Sequence, residues 1–304
     1  MTKNERLRQL LSAPEALQAV GCIDPFTARI IQDVGFDCAY LGGYATGTHY
    51  AVSEPLVTLT EQVSHAANIA RVIDVPLIVD AGAGFGDAVH TARTIREFER
   101  AGVSGVHIED QIYPKKMHYH TLPAPTEHVI SVEEMSFKIK AAVNARSDKN
   151  FVVIARTDAI GASNGGVQEA IRRGNLYAEA GADIVLMFPI NEEQTRLLPR
   201  EVHAPLAYIY SEGTHRPRFS RQELTDMGWK LIIYASTIVM TIGRAVWDIF
   251  TELKTTGRTS FDHDEMSKMR ERVQAVIGIP ELIALEKETR PEYRDAPYLA
   301  PDKK

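Results

Sequence analysis

Cysteine is nearly absent from the chain. The only two in 304 residues, Cys22 and Cys38, lie inside apolar runs. A pair so placed reads as reduced core thiols, which excludes a disulfide framework and a thiolate metal cluster. No apolar run reaches the length of a membrane span. The opening stretch, MTKNERLRQLLSAPEAL, is charged and amphipathic without an apolar signal core, so no export signal is expected and the cytoplasm is the expected location. Positive charge is in deficit, with 34 Lys and Arg against 40 Asp and Glu and a net charge of −6. With no basic stripe to offset it, nucleic acid is excluded as the main partner. Interior linkers, low-complexity tracts and short repeats are missing as well, so a single domain over 1–304 is expected.

What is present is ordinary globular material, 44% hydrophobic and 24% charged. A chain this long buries enough surface to need no disulfides. Eight short apolar runs read as strands: 16–24, 38–42, 76–82, 105–110, 151–159, 182–188, 204–210 and 230–236. Each is nearly continuous rather than alternating, as parallel strands covered by helices should be. Segments of helical period lie between them. Thr58 with Glu61, Ser131 with Glu134 and Ser220 with Glu223 form start signals, and Gly35, Gly102 and Gly181 form stops. Eight β/α units predict a (β/α)8 TIM barrel rather than an open doubly wound sheet, whose first turn would carry a glycine-rich dinucleotide fingerprint. GCIDPF is not one. Residues 237–304 exceed what closing a barrel requires. This helical C-terminal extension is expected to pack on a neighbouring subunit, the alternative being a lid on its own barrel.

Barrel chemistry collects at the carboxyl ends of the strands. Those ends carry Asp24, Asp80, the pair Glu109–Asp110, Arg156 with Asp158, and Glu212. So many acids in one dry pocket would repel each other, and a divalent cation with oxygen ligands resolves the conflict. Arg156 offers a fork for a carboxylate. Taken singly, each acid reads more simply as a cap or a salt bridge. The glycine-rich turn after Asp80, DAGAGFGDA, permits close backbone approach of a ligand. The run EDQIYPKKMHYHT (109–121) reads as an active-site loop.

Taken together, YLGG (40–43), VDAGAGFGD (79–87), VHIEDQIYPKK (106–116), IARTDA (154–159), AEAGAD (178–183) and SEG (211–213) make the chain resemble the isocitrate lyase / phosphoenolpyruvate mutase superfamily. The resemblance implies a barrel whose last helices are exchanged between subunits, usually in a dimer of dimers. It implies Mg2+ (or Mn2+) organised by Asp80 and Glu109, with Glu54 as a further acid. It also implies that Arg156 grips a substrate carboxylate while amides around Gly42 and Gly43 hold the other end, beside Tyr40 and Glu212. The activity it implies is a metal-dependent carbon–carbon lyase acting on a small 2-hydroxy or 2-oxo dicarboxylic acid through an enolate of a 2-oxo acid. An oxaloacetate-type decarboxylase or hydrolase, or a phosphonomutase, is the alternative; a non-catalytic metabolite-binding barrel is the second.

Lyases of this superfamily carry K[KR]CGH in the loop after the Glu-Asp strand, whose Cys moves the proton. The present chain reads KKMHYH. Met117 has no proton to give, which leaves His118, Tyr119 and His120, with Lys116, as the catalytic candidates. His118 and His120 can alternatively be read as metal ligands. Gly82 replaces a second motif acid, while Phe188 and Ile209 stand where relatives carry polar groups. These departures argue against isocitrate or methylisocitrate and for a smaller or more hydrophobic acid.

Overall fold

The structure, a computed structural model, describes residues 1–117, 129–214, 216–290 and 292. Its strands are β1 (Leu17–Gly21), β2 (Cys38–Leu41), β3 (Leu77–Asp80), β4 (Gly105–Glu109), β5 (Val152–Thr157), β6 (Ile184–Met187), β7 (Leu206–Tyr210) and β8 (Leu231–Tyr234). All eight pair in parallel in sequence order, and β8 returns to β1 to close the barrel. Each expected strand is present, trimmed at its ends where the chain turns toward a helix.

Helices α1 (Lys3–Leu11), α2 (Pro25–Val34), α3 (Gly43–Tyr50), α4 (Leu59–Ala70), α5 (Ala88–Arg100), α6 (Val132–Ala145), α7 (Val167–Glu179), α8 (Glu192–Glu201) and α9 (Arg221–Met227) precede the last strand. After it come α10 (Thr237–Thr256), α11 (His263–Val276) and α12 (Ile279–Thr289). Their boundaries follow local chemistry. Thr58 and Ser220 form reciprocal capping boxes with Glu61 and Glu223, and Gly35 ends α2 in the left-handed region at φ 96°. Helix α5 buries Thr91, Thr94, Ile95 and Phe98, the spacing of one helical face turned to the sheet.

Alternate residues of the strands fill the barrel: Leu17, Ala19, Cys38, Tyr40, Ile78, Val152, Ile154, Ile184, Leu186, Ala207, Ile209, Leu231 and Ile233. Leu7 of α1 joins them, fully buried. It packs near Gly105, the first residue of β4, and so closes the amino-terminal end of the barrel. Burying an aliphatic side chain of this size contributes about 1.5–3 kcal/mol.

Two compact units divide the chain, Met1–Thr241 and Ile242–Lys304. In the second, α11 and α12 pack on one another. Neither has a buried residue. Gly278, at φ 79°, separates these two helices.

Candidate active site

Side chains along a strand point alternately in and out, so the residues in phase with the barrel filling decide what reaches the axis. At the carboxyl ends these are Tyr40 on β2, Asp80 on β3, His107 and Glu109 on β4, and Arg156 on β5, in phase with Ile78, Gly105, Val152 and Ile154. Glu54 joins them from the short 3-10 turn Glu54–Leu56 that follows α3. Its approach depends on Gly43, where a Cβ would lie 2.8 Å from the Glu54 Cγ. Above these groups opens a cavity of about 340 Å³, with Tyr40, Glu54, Asp80, Arg156, Arg216 and Glu212 among its polar lining. Its apolar lining includes Phe188, Ile190, Ile209, Ala235 and Met240.

Charges in the site are tightly paired. Lys115, with a side chain only 6% exposed, places its ammonium 2.8 Å from Glu109 Oε1 and forms an ion pair with Glu54. Arg156 sets Nη1 2.9 Å from Glu109 Oε2 and grips both oxygens of Asp158 at 3.0 Å through Nε and Nη2. Burial alone would raise Asp80, but His107, Lys115, Arg156 and the Gly82 N–H together hold it down at about 2. In Glu109 burial prevails over the pull of Arg156 and Lys115 and pushes the carboxyl up to about 7. Burial would also lower Lys115, yet Glu109 and Glu54 raise it above the usual lysine range.

His107 was not among the expected site residues. It is fully buried, and its Nε2 lies 2.8 Å from the Tyr40 hydroxyl while Nδ1 lies 3.6 Å from Asp80 Oδ1. Burial, with Arg156 and Lys115, lowers its pKa and favours the neutral ring. A neutral ring that accepts from Tyr40 at Nε2 carries its proton on Nδ1, toward Asp80. The parity of GVHIE carried this signal: a residue two before Glu109 shares its face.

Asp80, Glu54, Arg156, Tyr40, Gly42, Gly43 and Glu212 line the cavity, and Glu109 lies buried beside it between Lys115 and Arg156. The Gly43 N–H donates to Asp80 Oδ2 at 3.2 Å. Glu212 accepts from Ser236 Oγ at 2.5 Å and from Thr237, which holds its carboxyl below the usual range against the effect of burial. Lys116 is exposed, and its neighbour Lys115 is the lysine among the acids. Met117 is exposed as well. His118, Tyr119 and His120 lie outside the described residues. Two expected strand-end acids are elsewhere. Asp24 caps α2, accepting the Thr27 N–H at 2.7 Å. Asp110, out of phase with Glu109, points away from the axis to Arg173, Tyr177 and Thr157.

A family model described as phosphoenolpyruvate phosphomutase matches residues 7–254. The chain belongs to this family. Within the wider isocitrate lyase / phosphoenolpyruvate mutase superfamily it is 36% identical over 270 residues to 2,3-dimethylmalate lyase of Eubacterium barkeri, covering 88% of this chain and 91% of the relative. A solved structure of oxaloacetate acetylhydrolase with the inhibitor 3,3-difluorooxalacetate superposes with a TM-score of 0.85 at 26% identity, over 95% of this chain and 97% of that one. Phosphonopyruvate hydrolase solved with oxalate and Mg2+ gives a TM-score of 0.78 at 27% identity, over 94% and 98%.

The acids of the site fit such an ion. Asp80, Glu109 and Glu54 offer only hard oxygen donors, the kind Mg2+ takes. Neither buried oxygen of Glu109 receives a well-aligned hydrogen bond; each faces a cation instead. Among the described residues no three His, Cys, Asp or Glu side chains close on one point. An ion that keeps several waters and takes one or two carboxylates needs no such cage.

Proposed function

We propose that the protein is a divalent-metal-dependent lyase that splits a carbon–carbon bond in a small 2-hydroxy dicarboxylic acid carrying an apolar substituent. The observation that carries this reading is the convergence of Asp80, Glu109 and Glu54 with Lys115 and Arg156 at the mouth of one barrel, beneath a cavity walled by Phe188, Ile190, Ile209 and Met240. Asp80 and Glu109, with Glu54, would hold Mg2+ (or Mn2+). The bound ion supplies Lewis-acid polarisation of the oxygen on the carbon that becomes a carbonyl, and charge to offset the acids.

The chain's own groups do the rest. Arg156 fixes Glu109 and Asp158, and Lys115 neutralises Glu54 and Glu109. The Tyr40 hydroxyl is oriented by His107 at the cavity wall. The apolar wall limits water at the reacting carbons, so that the proton is delivered by a positioned group and charges inside the site interact strongly. In the cleavage the substrate hydroxyl loses its proton and its carbon becomes the carbonyl of a 2-oxo acid. The bond to the neighbouring carbon breaks, and that carbon keeps the electron pair and takes a proton. Met117 cannot supply that proton; His118, Tyr119 or His120 is assigned the task, with Lys116 beside them.

The test is release of a 2-oxo acid with Mg2+, with and without EDTA: pyruvate from 2-methylmalate and 2,3-dimethylmalate, glyoxylate from malate. Turnover should vanish with EDTA, and Glu109→Gln should lower kcat/KM by a factor of about 100 or more, the scale expected for losing a metal ligand or its neighbour. Metal-independent turnover would overturn the assignment.

A second reading, hydrolysis or decarboxylation of an oxaloacetate-like acid, is favoured by Met117, since such reactions need no thiol at that position. The likeness to oxaloacetate acetylhydrolase supports it. Release from oxaloacetate of oxalate and acetate (hydrolysis) or of pyruvate and carbon dioxide (decarboxylation), with no cleavage of the 2-hydroxy diacids, would select it, and phosphate release from phosphonopyruvate would select the carbon–phosphorus branch. We propose in addition that the C-terminal helices pack on a neighbouring subunit in a dimer of dimers, and that the enzyme works in the cytoplasm. Support for the first comes from Trp247 at 75% and Phe250 at 63% exposure on α10. Among the described residues no helix is long and apolar enough to cross a membrane.

A further inference from the structure

The groups expected to receive substrate carboxylates are already engaged. Arg156 spends its fork on Asp158 and its remaining nitrogen on Glu109. The Gly43 N–H is turned to Asp80. Arg216 is the contrasting cation. It lines the same cavity, and among the described residues it makes no ion pair and no hydrogen bond; its Nε is buried without a partner. Its guanidinium carbon stands 4.7 Å from the centre of the Phe188 ring, and that of Arg156 stands 4.6 Å from the same centre. One aromatic ring therefore carries both guanidinium groups, a placement that cation–π attraction favours and that the mutual repulsion of the two cations opposes. A desolvated guanidinium with an open donor face is costly unless an anion arrives.

The segment that bears Arg216 is pinned from outside the barrel. The Tyr208 hydroxyl donates to the Pro217 carbonyl at 2.5 Å, and the Tyr210 hydroxyl donates to the carbonyl of Phe219. Tyr208 is itself buried edge-on against Trp229, with ring centres 5.2 Å apart. Arg216 is thus presented on a segment anchored to β7, in a cavity whose wall beside it is apolar. An open cation, a ring to orient it and a water-poor surround make a receptor for a single carboxylate.

We infer that Arg216 is the specificity-determining residue that binds the substrate carboxylate farther from Asp80 and Glu109. This rests on the proposed reading of the site as one that takes a short diacid. It makes the protein select diacids over 2-oxo monoacids at that residue, with Phe188 holding the guanidinium in place.

The test uses two probes with Mg2+ present, followed by calorimetry. Oxalate occupies only the inner, metal-side end, whereas 3,3-difluorooxaloacetate adds a second carboxylate beyond it and cannot enolise. Arg216→Met should weaken difluorooxaloacetate binding by roughly 30-fold, the scale of one lost charged hydrogen-bonded contact. Oxalate affinity should stay within about twofold, which also reports that the variant is folded. Arg216→Lys should recover part of the loss. Unchanged difluorooxaloacetate binding in Arg216→Met, with oxalate still bound, overturns the assignment of Arg216 and leaves the proposed function standing. Equal loss of both probes assigns Arg216 a merely structural role and overturns it too. If the wild-type protein binds no oxalate with Mg2+, the reading of the site falls, and the inference with it.

Discussion

Asp80 is the residue on which the site's electrostatics turn, held at about 2 by His107, Lys115, Arg156 and the Gly82 N–H despite complete burial. Its folded pKa lies below the unfolded value, so the stability it contributes is present above the ordinary carboxylate range and is lost as pH falls through it toward 2. In EDTA, urea unfolding at pH 5, 4 and 3 should therefore show the wild-type protein losing stability more steeply than Asp80→Asn. Equal slopes would mean that Asp80 is not depressed. At this scale the sequence was partly legible. The acid and arginine motifs named Asp80, Glu109 and Arg156, since each motif fixes its own spacing. Adjacent residues were harder: Lys115 and Lys116 are chemically identical neighbours, and only the path of the loop after β4 decides which one turns inward. Arg216 carried no local signal at all, because its meaning comes from Phe188 and from an Arg156 already spent elsewhere.

Single elements divide structural from chemical work by parity. On β4, Glu109 enters the axial site while Asp110 faces the helices, where Thr157, Tyr177 and Arg173 satisfy its Oδ2 at 2.8, 2.8 and 3.1 Å. Arg173 on α7 also binds Glu169 and the Ile130 carbonyl, so this one carboxylate ties the barrel to its helical coat. Removing one partner of a buried pair leaves the other charge uncompensated. Asp110→Ala should lower unfolding free energy by about 3–5 kcal/mol, read from urea melts, while oxalate affinity of the folded fraction changes little. A variant that lost oxalate binding and kept its stability would place Asp110 in the chemistry instead. The strands and their order could be read from eight apolar runs because parallel strands buried on both faces leave a continuous trace. That same continuity hid the in–out phase, which is why Asp24 and Asp110 looked like axial acids and His107 was not singled out. A polar residue's phase relative to the barrel filling needs the register, and register is a long-range property.

For the molecule as a whole, the second compact unit shows what a lone chain leaves uncovered. Val246, Trp247, Phe250 and Leu253 follow one another at helical spacing on α10, all exposed. Apolar surface of this kind marks an interaction face. If it is a subunit interface, Trp247→Asp should shift the mass measured by light scattering from that of a tetramer toward that of a smaller species. A wild-type protein that is monomeric at all concentrations would dispose of the idea. The other end of the barrel is closed from within by Leu7. Because that end is filled, among the described residues the cavity is approached from the carboxyl ends of the strands. When one molecule is cut into two there, the fragment nearer the exit must depart before the deeper one. The latecomer should compete with incoming substrate, while its sibling should not.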